Sequence, residues 1–390
     1  MMSLRFICQV ACVCAFSLGL GSGFDRVSEA GEVVLHRQAN SIRIMIDGEV
    51  FGLYRYGADL PKPYFLPLTV LNAWELWEQA APGDDTVAGK RAVVCADNLV
   101  VNGQPLELGS VVEVTGLTGE FAELKSPAGR VPRGSLAPLA GVVTRLVNPD
   151  PPKIRDAKDP RYYDHPHHKG LWLSVDEVNG IKFWNENGRI VSHSVEVLQE
   201  RGPVAGFKVV NHWLKADGSP LVEETSVFTI FADGLLSQDV TFKAVSEPVV
   251  FEDTKEGMFA IRLPNSMREF ISQDRVTNAE GVQGTAACWG LESNWVNYLG
   301  KVDGQLLGVT LFDHRDNPRR SRYHVRDYGL FAISPFGPHS YSKGALPHDP
   351  LHLEPGGPGA RFRYAVLLSR GELTPEQLNR RHTEFSDAIR

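Results

Sequence analysis

Short runs of alternating apolar and polar residues, cut by Asn-Gly and Asp-Gly pairs, constrain this chain more than any other feature. Ser41-Ile42-Arg43-Ile44-Met45-Ile46 alternates and then meets Asp47-Gly48. Val178 leads into Asn179-Gly180 and on to Ile181-Lys182-Phe183-Trp184, and Val302 leads into Asp303-Gly304 and the run Gln305 to Phe312. A period of two puts alternate side chains on opposite faces of a strand, and Asn-Gly or Asp-Gly accepts the positive φ angles that a two-residue hairpin needs. Val240 to Val245 and Phe362 to Leu368 read as further strands. Helical spacing is scarce. Leu71 to Ala80 and Thr374 to Phe385 are the candidates, the second with Pro375 in its first turn. The expected fold is all-β: a large antiparallel β-sandwich with few helices.

The first thirty residues differ in kind. Arg5 precedes a run, FICQVACVCAFSLGLG, that is almost wholly apolar or small, and Ser28-Glu29-Ala30 gives a small-x-small cleavage pattern. This predicts a signal peptide over 1–30 and an exported, periplasmic or extracellular protein. The apolar run is about 16 residues and a spanning helix needs ~20, so no stable membrane span is expected. Three of the five cysteines fall in this region, leaving Cys95 and Cys288. Their separation favours buried thiols over a disulfide framework. The net charge of -7 gives no support to nucleic-acid binding.

Residues 86–138 carry five short strand patterns in succession, with tight glycine turns: Arg91 to Ala96, Ser110 to Gly116, Phe121 to Lys125, Gly129 to Pro132 and a closing piece. Their spacing resembles small bacterial SH3-like barrels. The expected organisation is a main sandwich formed by 31–70 and 139–390, interrupted by an inserted SH3-like β-barrel over 86–138. Such modules serve as binders or spacers, which implies wall or protein contact through this segment.

Three polar clusters carry the candidate chemistry. The first is DHPHHKG, residues 164 to 170. Pro166 should keep the segment extended, so that His167 and His168 face opposite ways and His165 and His167 share a side. Three readings are open: metal ligation by His-x-His, acid–base or substrate-binding histidines, and a plain surface loop. The second cluster runs from Phe251 to Arg262. Glu256 is its candidate pocket carboxylate, Glu252 and Asp253 read as surface charge, and Arg262 lies in an apolar strand where it needs an anionic partner. The third, Phe312 to Gly329, interleaves arginines with histidine and tyrosine, and offers Asn317, Arg319, His324 and Arg326 for a polyhydroxyl or anionic ligand. Trp172, Trp184, Trp289 and Trp295 lie near these clusters, as core residues or as flat platforms for a pyranose ring.

Taken in order, Lys62 to Leu68, Val143-Thr144-Arg145, DHPHHKGLW, Asn179-Gly180 with Phe183-Trp184, Lys255-Glu256-Gly257 with Arg262, Asp313-His314 with Asn317-Pro318-Arg319, His324 to Leu330 and Pro335-Phe336-Gly337 resemble a bacterial family labelled "methane oxygenase PmoA". Methane oxidation does not follow, because the mature chain lacks spanning helices. The resemblance implies a fold similar to the galactose-mutarotase-like β-supersandwich, often associated with carbohydrate. The leading expectation is therefore a carbohydrate-active enzyme, of epimerase, lyase or glycoside hydrolase type, acting on a sugar or another small polar ligand. His167 or His168 would be the acid–base group and Glu256 its partner carboxylate. His165, Trp172, Arg262, Asn317, Arg319, His324 and Arg326 would bind substrate, with no cofactor or metal. The alternatives are a glycan-binding protein without turnover and a metal-dependent oxidoreductase using His165, His167 and a remote histidine.

Overall fold

A computed structural model describes residues 31–70, 87–94, 96, 98–106, 110–138, 165–269, 275–302 and 305–390. The signal peptide expected over 1–30, the Leu71 to Ala80 helix candidate, Cys95 and the Val143-Thr144-Arg145 motif lie outside the described residues. Two large antiparallel sheets make the main body. The first has nine strands in the order Arg201–Gly202, Val33–Arg37, Ser41–Ile46, Glu49–Arg55, Tyr64–Leu68, Leu171–Val175, Gly257–Arg262, Leu330–Ser334 and Arg322–Val325. The second has eight: Arg189–Gln199, Val204–Leu214, Pro220–Phe231, Leu235–Ala244, Ala360–Arg370, Gln305–Asp313, Trp295–Val302 and Val276–Asn278.

The dipeptide turns form as their chemistry requires. Asp47 and Gly48 have φ of 51° and 82°, and Asn179 and Gly180 have 48° and 79°, the paired positive angles of a two-residue hairpin. The Asp303-Gly304 turn lies outside the described residues, although Val302 and Gln305 pair on either side of it. Alternation then decides which side chains meet. In Pro220–Phe231, Val222, Phe228 and Ile230 are buried between the sheets together with the polar Glu224 and Ser226 on the same face, and the alternate residues Glu223, Thr225, Val227 and Thr229 are less so. Facing them from the first sheet are Phe65, Leu171, Leu173, Phe259, Ile261, Phe331 and Ile333. Burying each such side chain is worth roughly 1.5–3 kcal/mol, so this seam is the main stabilising contact of the sandwich.

The outer face of the second sheet is closed by the helix Pro375–Ala388, whose Leu378 and Phe385 pack with Leu235, Trp295, Phe312, Ala365 and Leu367. Thr374 caps it: its hydroxyl accepts from the Gln377 N–H, and the Gln377 side chain accepts from the Thr374 N–H. Residues 87–138 contain a five-stranded antiparallel sheet in the order Ala128–Pro132, Phe121–Lys125, Val111–Thr118, Lys90–Val94 and Leu136–Pro138. Its core is separate, built on Val94, Val112, Val114, Leu117, Ala122, Leu124 and Val131. Among the described residues no pairing joins its two end strands into a closed barrel.

Candidate functional site

The outer face of the nine-stranded sheet carries the polar residues. Cross-strand register lines up one row: Arg55 opposite Tyr64, Tyr64 opposite Trp172, Trp172 opposite Ala260, Ala260 opposite Ala332, and Ala332 opposite His324. Strands lie about 4.8 Å apart, so Trp172 and His324 stand roughly 14 Å from each other across two alanines. Those alanines keep the middle of the row low. Tyr328 and the histidine loop fill the space above it.

The loop itself is a tight turn. The His168 N–H donates to the His165 carbonyl at 3.1 Å, which folds the chain back at Pro166 and His167. The extended conformation expected from Pro166 is thereby corrected, and so is the pairing it implied. His165 stacks on His168, with centroids 4.6 Å apart and planes 2° from parallel, and meets His167 edge-on at 5.6 Å. The stack continues on both sides. Tyr328 lies 5.0 Å beyond His165, and Trp172 lies 5.3 Å beyond His168. The resulting column is Tyr328, His165, His168, Trp172. Face-to-face imidazoles hold their lone pairs in parallel planes, so His165 and His168 do not converge on one ion. Among the described residues no three His, Cys, Asp or Glu side chains gather as a metal-ligand set.

Buried charge anchors the column from below. Lys62 is 1% exposed. Its Nζ donates to the His167 carbonyl at 2.8 Å, pairs with Glu186 Oε1 at 3.1 Å and lies 5.4 Å over the Trp172 ring. Lys169 Nζ reaches Glu186 Oε2 at 3.2 Å, so one carboxylate bridges two ammonium groups. Burial brings the Lys62 ammonium down to about 8 against the pull of Glu186. Arg262 Nη1 donates to His168 Nδ1 at 3.0 Å, and its guanidinium lies 5.2 Å from the Tyr328 ring centroid.

These surroundings hold His167 and His168 neutral. Burial, then Lys62, His165, Lys169 and Arg262, takes His167 down to about 3. His168 is held well below its ordinary value, first by burial and then by Arg262. At the other end of the row, burial and then Arg326 take His324 to about 3. His324 Nδ1 donates to the Lys255 carbonyl at 3.1 Å, which leaves Nε2 unprotonated.

The structure thus gathers His165, His167, His168, Trp172 and Arg262, and joins Arg326 to them through Tyr328, which lies 5.6 Å from its guanidinium. Trp172 is 2% exposed and supports His168 from beneath, so it is not the open sugar platform expected of it. Glu256 is placed on the His324 side. It pairs with Lys255 at 3.6 Å, and the Lys255 carbonyl holds both His324 and Tyr341. It is not brought to His167 or His168. Asn317 and Arg319 do not join the cluster either, because their polar atoms are used in folding. Asn317 binds Asp313 and the backbone of Arg363, and Arg319 clamps Asp349 and the Pro350 carbonyl. Asp253, expected at the surface, is 5% exposed and accepts from the His339, Ser340 and Asp349 N–H groups.

Sequence reasoning missed Lys62, Lys169, Glu186 and Tyr328 as site residues. Lys62 and Lys169 sit inside the motifs singled out. Glu186 had no signal beyond its turn-rich neighbours Asn185, Asn187 and Gly188, and its φ of 64° is visible only in the folded chain.

The fold and the site together define a class: a two-sheet antiparallel sandwich whose outer face bears a stacked histidine cluster over buried cations. The chain belongs to a family of unknown function, DUF6807, whose model matches residues 130–383. That match corrects the resemblance drawn from the motifs, since the family labelled "methane oxygenase PmoA" gives none. The comparison with curated proteins gave no match. Among solved structures, a GalM/aldose epimerase homologue from C. elegans is 9% identical, with 88% of this chain and 100% of that one covered and a TM-score of 0.29. A galactose 1-epimerase from Lactobacillus acidophilus NCFM is 8% identical, with 87% and 98% covered and a TM-score of 0.28. Scores this low leave the strand pairings themselves as the basis for the fold.

Proposed function

We propose that this protein handles saccharides through the histidine face, with His167 as the group that exchanges a proton with a sugar oxygen or ring carbon. The observation that carries this reading is the state of His167. Its imidazole is partly exposed, it is neutral, and its carbonyl is fixed by the buried Lys62 ammonium. Half-buried flat rings beside it, Tyr328 and His165, together with Arg326, supply the mixture of apolar face and strong hydrogen-bond donors that suits a polyhydroxyl ring.

The charges that act on His167 are Lys62, Lys169 and Arg262. A positive field stabilises an alkoxide or enediolate, the species formed in epimerisation or elimination. Glycoside hydrolysis passes through a cationic, oxocarbenium-like state between two carboxyl groups. Among the described residues the carboxylate beside the histidines is Glu186, already shared by two lysines. Proton-transfer chemistry at a sugar is therefore favoured over hydrolysis.

A second reading is glycan binding without turnover. It is favoured by the low value for His167, about 3, which makes the ring a good hydrogen-bond acceptor and a weak base. One experiment separates the two. The full chain is screened by NMR against free sugars and glycosides for binding and for product, alongside His167→Gln. Proton-transfer catalysis predicts product from the wild type and a fall of roughly 10²–10⁴-fold in the variant. Binding without product supports the second reading, and the absence of any saccharide ligand removes both.

A further inference from the structure

A cavity of about 310 Å³ opens beside the His324 end of the row, lined by Thr285, Ala286, Trp289, Val325, Arg326 and Asp327. This is at the small end of ligand pockets, enough for one ring-sized group. Two ring contacts connect its lining to the histidine face. Trp289 meets His324 edge-on at 6.1 Å, and Arg326 lies over Tyr328, the outermost member of the histidine column.

Among the described residues, two donors of the lining side chains find no partner. The Trp289 indole Nε1 is buried and makes no hydrogen bond among the described residues. The Arg326 guanidinium is half-buried. Its side-chain contact is the Tyr328 face, and no carboxylate of the described residues stands within ion-pair distance. Other arginines on nearby loops are satisfied: Arg319 by Asp349, Arg320 by Asp313 and Arg322 by Glu292. Thr285 is also occupied, since Glu269 takes both its N–H and its hydroxyl. Asp327 lines the same cavity with an exposed carboxylate. Water screens that charge more than it screens the half-buried guanidinium. An arginine without a counter-ion among the described residues, in a cavity that an indole also lines, suits an anion on a ring, because its planar fork binds two oxygens of a carboxylate or sulfate at once.

We infer that the Trp289–Arg326 cavity is a second subsite of the saccharide face and that it takes an anionic sugar unit, a uronate or a sulfated residue. The inference rests on the saccharide reading above and narrows it to acidic glycans. The guanidinium pairs with the anionic group, the indole ring of Trp289 packs against the sugar, and Asp327 accepts from a hydroxyl at the rim.

The test uses the full chain on an array of defined glycans carrying neutral, uronate-containing and sulfated members of matched length. Arg326→Gln, Arg326→Lys and Trp289→Phe are run beside the wild type, with folding checked by circular dichroism. The expected result is preference for acidic members, lost by tenfold or more in Arg326→Gln and partly kept in Arg326→Lys. Trp289→Phe should weaken every bound member by a few-fold, through the smaller ring face. Uronate-selective and sulfate-selective binding each support the inference and identify the anion. Binding confined to neutral glycans overturns it and leaves the saccharide reading standing. Acidic binding that Arg326→Gln leaves unchanged also overturns it. No glycan binding at all removes the saccharide reading, and this inference with it.

Discussion

Arg262 Nη1 lies 3.0 Å from Nδ1 of His168. A guanidinium only donates, so His168 Nδ1 must accept, and the ring is the neutral tautomer with its proton on Nε2. The same logic gives His324 the opposite form, with the proton on Nδ1 facing the Lys255 carbonyl. Proton-detected nitrogen spectra of the imidazoles should therefore show His168 protonated at Nε2 and His324 at Nδ1. In Arg262→Met the His168 tautomer should become mixed while His324 keeps its own. Finding His168 protonated at Nδ1 in the wild type would contradict the geometry.

Acid should unfold this protein early. His167 and His324 stand at about 3 in the folded state, against roughly 6.5 in an unfolded chain. As pH falls through ~6.5 the unfolded state takes up protons that the folded state refuses, so stability present above that value is lost on the way down. The slope approaches ~1.4 kcal/mol per pH unit for each histidine. Urea midpoints should fall steadily between pH 6.5 and 4, and His324→Gln should flatten the slope by close to one proton. A pH-independent midpoint over that range would show that the rings are not held neutral.

Glu186 bridges Lys62 and Lys169, whose side chains are 1% and 6% exposed. Removing the carboxylate leaves two buried ammonium groups without a counter-charge. Glu186→Gln should cost about 3 kcal/mol in urea denaturation, in the range for breaking a buried pair. Lys182→Met serves as the comparison. That side chain is 46% exposed and pairs with Asp176 and Glu177, so its loss should stay under ~1 kcal/mol. Equal costs for the two variants would place Glu186 outside any buried network.

Ala332 sits between Ala260 and His324 in the outer-face row and is fully buried. Its small size is what lets Tyr328 and the histidine loop settle on the sheet. Ala332→Leu should destabilise by roughly 1–3 kcal/mol through overpacking. It should also weaken any saccharide that the wild type binds, because the column from Tyr328 to Trp172 must shift. Denaturation and glycan titration on one sample check both. Retained affinity with lowered stability would separate the row from the site.

Period-two runs and Asn-Gly or Asp-Gly turns determined the all-β sandwich from local chemistry alone, because a strand's two faces and a hairpin's positive φ are properties of neighbouring residues. The spacing from Thr374 to Phe385, with Pro375 in its first turn, likewise announced the C-terminal helix. The histidine cluster was visible as a polar run, and His165, His167 and His168 do meet, joined by Arg262 from the second cluster. What they do to one another was not visible. Lys62 reaches the His167 carbonyl across 105 residues, Arg262 reaches His168 across 94, and Glu186 enters from the turn that links strands of two different sheets. Asn317 and Arg319 looked equally available in sequence, yet folding consumed their donors elsewhere. Charge state, tautomer and exposure depend on which groups the sheets bring within a few ångströms. The sequence by itself determined the strands and the supply of polar groups; only the tertiary structure decided which of those groups stay neutral, which are spent on the fold, and which, like Arg326, are left facing a cavity.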